Sequence, residues 1–86
     1  MSARDVDVVL YERPGCHLCE DAAAALAPLL RELGARLTRV NVGEDPALEA
    51  RYGLAIPVVT VDGLELTRAP IDLGALGRAL AGGGAN

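Results

Sequence analysis

The sequence predicts an α/β fold of order β-α-β-α-β-β-α, a four-stranded mixed sheet with helices on both faces. Three observations carry that prediction. An apolar run, Val6 to Tyr11, passes through Pro14-Gly15 into an alanine- and leucine-rich stretch with helical spacing. A second β-rich run follows, completing a βαβ unit whose crossover implies parallel pairing. Asp62-Gly63 then separates two further β-rich runs, as a two-residue hairpin turn does.

Taken in order, Val6 to Tyr11 is apolar on both faces from Val8 onward, as a central strand covered on both sides should be. Glu12-Arg13-Pro14-Gly15 ends it as a loop. From about Cys16 to Leu33 the spacing predicts a helix with Leu18, Ala22, Leu26, Leu29 and Leu33 on its buried stripe. Pro28 predicts a kink near Ala24–Pro28, and Gly34 stops the helix. Ala35 to Val42 carries Arg36, Thr38, Arg39 and Asn41, which suits a strand near the sheet edge. Asp45 is placed to cap a short helix, Pro46 to Tyr52, which Gly53 closes. Leu54 to Val61 leads into a strand with Pro57 at its entry, and Leu64 to Thr67 alternates as a strand with one buried face. The last helix is expected over Ile71 to Ala81, with Leu73, Leu76 and Leu80 inward and Gly74 and Gly77 allowing close packing. Residues 1–81 thus read as one domain, and 82–86 as a flexible tail.

Bulk properties narrow the function. Eighty-six residues suffice for one modest core. With 51% apolar and 2% aromatic residues, that core must be aliphatic. The net charge is −4 and the eight basic residues, all arginine, are scattered, which argues against nucleic acid as a partner. No apolar run approaches the ~18 residues of a membrane span. Acidic Asp5 and Asp7 stand where a signal peptide would be apolar, so a cytoplasmic monomer is expected.

Both cysteines of the chain lie in Cys16-His17-Leu18-Cys19, where the first strand hands over to the helix. Thiol–disulfide exchange requires a thiolate, and an ordinary cysteine with a pKa near 8.5 is only about 3% ionised at pH 7. A helix start supplies unpaired N–H groups and a favourable dipole, and Arg13 adds a cation close by. Cys16 is therefore the candidate nucleophile, and Cys19, one turn further in, the resolving thiol. Glu20 and Asp21 oppose the effect. Two other readings stand beside this one: a metal or cluster ligand pair, and an inert pair of small apolar side chains. His17 either assists a thiolate or is merely solvated; Tyr11 lines the site or fills the core, and Tyr52 reads as packing.

Tyr11-Glu12-Arg13-Pro14-Gly15-Cys16-His17-Leu18-Cys19 resembles the glutaredoxin pattern Tyr-x-Lys-Pro-x-Cys-Pro-Tyr-Cys, with Arg13 at the lysine. Ile56-Pro57 resembles the Thr/Val-Pro that is cis throughout the thioredoxin superfamily, whereas read alone it is a trans proline starting a strand. The resemblance runs from about Val6 to Leu80 and implies a thioredoxin-like fold and a dithiol oxidoreductase. In that setting Cys16 and Cys19 are catalytic, and Arg13, His17, Ile56 and Pro57 contact the substrate. The substrate is a disulfide-containing protein or a low-molecular-weight thiol, with no tightly bound cofactor and glutathione as a possible reductant. The chain departs from the pattern at His17-Leu18, which replace Pro-Tyr, and at Leu10, where thioredoxins carry a buried acid. It departs again at Thr67-Arg68-Ala69-Pro70, where glutaredoxins place Gly-Gly-Asp/Ser. Some glutaredoxins without the active-site proline bridge two subunits through a [2Fe–2S] cluster, so a cluster carrier using Cys16 and an external thiol is the alternative. A redox-inert binding module of the same fold is a third.

Overall fold

Alternation decides how the first strand is covered. β1 spans Asp7–Glu12, with Val8 and Leu10 fully buried on one face and Tyr11 partly buried on the other. The structure, a computed structural model, describes residues 7–68 together with 71, 74, 75, 77 and 78. β1 pairs in parallel with β2 (Arg36–Asn41) and antiparallel with β3 (Val58–Val61), which pairs antiparallel with β4 (Leu64–Arg68). The strand order is β2-β1-β3-β4, so the two central strands are the most apolar ones. β2 is shorter than its β-rich sequence by a residue at each end: Ala35 joins the loop and Val42 opens a 3₁₀ turn, Val42–Glu44.

Helix α1, His17–Leu33, packs Ala22, Ala23, Leu26 and Leu30 against Val8, Leu10 and Val59. Gly34 ends it in the left-handed conformation, φ 74°, a geometry that a Cβ disfavours. The helix continues unbroken through the exposed Pro28. Its buried face is rotated from the predicted stripe. Leu18 is 60% exposed, and Cys19 takes its place in the core at 0%. Leu29 and Leu33 are only partly buried. The rotation is cheap because alanine and leucine populate both candidate stripes, so periodicity alone does not fix the phase.

Helix α2, Pro46–Tyr52, covers the opposite face through Tyr52, with Tyr11, Val42, Leu48 and Val58 around it. The Asp45 carboxylate accepts the Ala47 N–H at 2.9 Å and caps it. Tyr11 and Tyr52 stack at 4.5 Å between ring centres, which packs the partly buried Tyr11 on the buried Tyr52 and ties β1 to α2.

At the β3–β4 hairpin, Asp62 and Gly63 both have positive φ, 51° and 85°, as a type I′ turn requires. β4 breaks the alternation expected of it. A register shift beside Val59 and Thr60 leaves Leu64 68% exposed and buries Thr67. A bulge inserts one residue into the ladder, so the two sides of it cannot share one face pattern. Of the last predicted helix, Gly74, Ala75, Gly77 and Arg78 are helical, while Ile71 precedes it and is partly buried against the α1 core. A Cβ at Gly77 would meet no atom of the described residues within 4 Å. Leu73, Leu76, Leu80 and the tail 82–86 lie outside the described residues.

Candidate redox site

The site begins with a turn. The Cys16 N–H donates to the Arg13 carbonyl at 3.1 Å, closing a four-residue turn with Pro14 and Gly15 in its centre. Gly15 has φ 78°, so the pair forms a type II turn in which proline and glycine each occupy their preferred position. The turn carries the chain from β1 directly onto the first residue of α1. Cys16 caps that helix: its Sγ accepts the Cys19 N–H at 3.1 Å, and its carbonyl accepts the Glu20 N–H at 3.1 Å. A sulfur thus holds the place usually taken by a serine or aspartate oxygen, at the positive end of a 17-residue helix.

Cys16 and Cys19 are joined by a disulfide with their Cα atoms 5.2 Å apart. The two sulfurs differ in setting. Cys16 is partly exposed, whereas Cys19 is buried among the core residues of α1. An attacking thiol from outside can therefore approach Cys16 and not Cys19.

The other residues singled out by sequence are distributed around the same end of the sheet. Val58 pairs with Tyr11, so Ile56-Pro57 enters β3 at the end from which β1 leaves for the turn and Cys16. The Ile56–Pro57 peptide bond is cis; Pro57 is fully buried, and Ile56 is partly buried against Val42, Tyr52 and Val58. His17 stands exposed beside the disulfide, its Nε2 3.7 Å from the Asp21 carboxylate one turn along.

Arg13 does not reach freely into solvent. Its Nη1 and Nη2 donate to the two carboxylate oxygens of Glu49, each at 2.6 Å, and Nη2 also donates to the Gly53 carbonyl at 3.3 Å. The bond to Glu49 raises the Arg13 pKa further and lowers that of Glu49, so both stay charged across the neutral range. The cation beside the redox pair is thus balanced by a carboxylate from α2. A second fork ties the site's other flank. Arg39 donates to both Glu12 oxygens at 2.6 and 2.7 Å and to Glu20 at 3.1 Å, which holds β2, β1 and the first turn of α1 together. Those bonds, first to Glu12 and then to Glu20, push the Arg39 pKa higher still. The charge of Glu20 is offset in this way rather than left facing Cys16. Nothing in the sequence reading placed Glu49, Gly53 or Arg39 at this site. Arg13 and Glu49 are 36 positions apart, and no local pattern joins them. Among the described residues, no group of three or more His, Cys, Asp or Glu side chains could hold a metal ion. No helix among them is long and apolar enough to cross a membrane.

Residues 7–81 match the glutaredoxin-like domain family (DUF836). An uncharacterized protein of Mycobacterium tuberculosis is 38% identical over 63 residues, 67% of this chain, and the match spans 65% of that curated relative's length. The X-ray structure of protein XcR50 from X. campestris superposes with a TM-score of 0.71 at 37% identity, covering 86% of this chain and 95% of that one. A mutant thioredoxin from Halobacterium salinarum superposes with a TM-score of 0.66 over 92% of this chain and 74% of its own. At 23% identity it shows the shared fold alone. With a thioredoxin-like sheet, a Cys-x-x-Cys disulfide at the start of α1 and a family match over residues 7–81, the chain belongs to the glutaredoxin-like domain family.

Proposed function

We propose that the protein is a thiol–disulfide oxidoreductase in which Cys16 attacks and Cys19 resolves. The observation that carries this reading is the asymmetry of the pair. Cys16 is reachable and accepts an N–H at a helix start, while Cys19 is 0% exposed. After reduction, the Cys19 N–H and the helix dipole favour negative charge on the Cys16 sulfur. The Cys16 thiolate attacks one sulfur of a substrate disulfide; that S–S bond breaks, and its electron pair leaves with the other substrate sulfur, which takes a proton. The Cys19 thiol, losing its proton, then attacks the Cys16 sulfur. The mixed disulfide breaks, the second substrate thiol departs, and the Cys16–Cys19 disulfide remains. One substrate disulfide is reduced for each protein dithiol oxidised. His17, exposed beside Cys16, and the backbone of Ile56 next to Pro57 are the proposed substrate contacts. The substrate is a protein disulfide or a low-molecular-weight one, and a cellular thiol regenerates the dithiol.

The test is a pair of variants assayed with an excess of a model disulfide. Cys16→Ser should abolish reduction, and Cys19→Ser should accumulate a mixed disulfide at Cys16 detectable by mass spectrometry. Turnover by the Cys16→Ser protein, or a mixed disulfide found on Cys19 in it, would overturn the assignment.

A further inference from the structure

Arg13 and Cys16 are the two ends of one β-turn, so their Cα atoms lie within about 7 Å. A guanidinium so placed would ordinarily be the feature that draws a carboxylate-bearing ligand to the disulfide, since its fork matches a carboxylate through two parallel bonds. In this chain that fork is already filled, with both of its arms on Glu49 and a third bond to the Gly53 carbonyl. Two further guanidiniums stand at this end of the sheet: Arg39 is held in the same manner by Glu12 and Glu20, and Arg68, across from Val58, by Glu65. His17 has Asp21 beside it. The carboxylates of Glu12, Glu20, Asp21 and Glu49 therefore outnumber the guanidiniums of Arg13 and Arg39 around the redox pair. A thiolate arriving with further carboxylates of its own meets, among these residues, forks that are already filled and more carboxylates than guanidiniums.

We propose that Glu49 is a specificity-determining residue: by occupying the Arg13 fork, its carboxylate biases the Cys16–Cys19 pair against carboxylate-bearing thiols and toward neutral and cationic ones. The inference rests on the thiol–disulfide exchange proposed above. In the step concerned, an external thiolate attacks the Cys16 sulfur, the Cys16–Cys19 bond breaks, and its electron pair goes to Cys19, which takes a proton. A second thiolate then attacks the external sulfur of the mixed disulfide and releases the Cys16 thiolate. Two thiols are oxidised to one disulfide as the protein pair is reduced.

The experiment measures reduction of the oxidised full-length protein by glutathione, 2-mercaptoethanol and cysteamine at low ionic strength, with each rate referred to that reagent's own thiolate concentration. Glu49→Gln frees the Arg13 cation, whereas Arg13→Gln leaves the Glu49 anion unopposed. Both variants weaken the Arg13–Glu49 fork, and only Arg13→Gln also loses the bond to the Gly53 carbonyl; a merely structural effect shifts the ratio the same way in both, and a charge effect moves it in opposite directions. The glutathione-to-cysteamine rate ratio should rise about threefold in Glu49→Gln and fall about threefold in Arg13→Gln, with both shifts shrinking in about 0.5 M salt. Ratios that stay fixed, or that move the same way in both variants, overturn the role of Glu49 and leave the exchange reading standing. A wild-type disulfide that none of the three thiols reduces overturns the exchange reading and this inference with it.

Discussion

Comparing the alanine variants of Leu26 and Leu18 tests the phase of α1, and with it the reason that Cys19 is hidden while Cys16 is not. Leu26 is 0% exposed and packs in the cluster with Val8, Leu10 and Val59. Cutting its side chain back loses the transfer free energy of the removed carbons and opens a cavity between helix and sheet. Buried Leu→Ala changes of this kind cost about 2.7–5 kcal/mol. An 86-residue chain has a total stability of roughly 4–13 kcal/mol, so the loss is a large share of the whole. With a urea m-value of about 1 kcal/mol/M for a domain this small, the midpoint should fall by about 3–5 M. Leu18→Ala is the matched control: the same atoms are removed from a side chain that is 60% exposed, and the cost should be within about 0.5 kcal/mol. Urea titrations of both variants, followed by circular dichroism, measure the two costs side by side. Equal losses, or a greater loss for Leu18, would refute the rotated packing of α1 and with it the burial of Cys19.

Two further predictions concern polar groups. Thr60 is 2% exposed and its hydroxyl has no hydrogen-bond partner among the described residues, so the nearly isosteric Thr60→Val should raise stability by about 1 kcal/mol, read from the urea midpoint. The bond from Arg13 lowers the folded-state pKa of Glu49, so the pair's stabilisation is complete well above the ordinary carboxylate value of 4.5 and is lost as the pH falls through the lower folded value. The wild type should accordingly be more stable than Glu49→Gln at pH 7, and the gap should close in acid; a gap independent of pH would refute the ion pair's part in it.

Much of the architecture was legible because the local signals agree with one another. Pro14-Gly15 before Cys16, Gly34 after Leu33, Asp45-Pro46 at a helix start and Asp62-Gly63 between two strands each allow few backbone geometries, and the structure uses them as the turn chemistry requires. The Cys-x-x-Cys pair was legible for the same reason, since a strand, a turn and a helix start leave it only one place to stand. The β4 pattern was not, because a bulge depends on how β3 is paired and not on the residues of β4 alone.

By itself, then, the sequence determined the order of elements, the turn that presents Cys16 and the chemistry available to two thiols three positions apart. Tertiary structure decided which face of α1 is buried, and so which of the two sulfurs meets solvent. It also decided the electrostatics around them. Arg13 was visible as a cation next to Cys16, but its charge is answered by Glu49, 36 residues away on a helix brought alongside by the stacking of Tyr11 on Tyr52. Hydrophobic spacing and turn geometry act between near neighbours in the chain and can be read from it. Ion pairing across the fold acts between near neighbours in space, and those exist only once the sheet and helices α1 and α2 have come together.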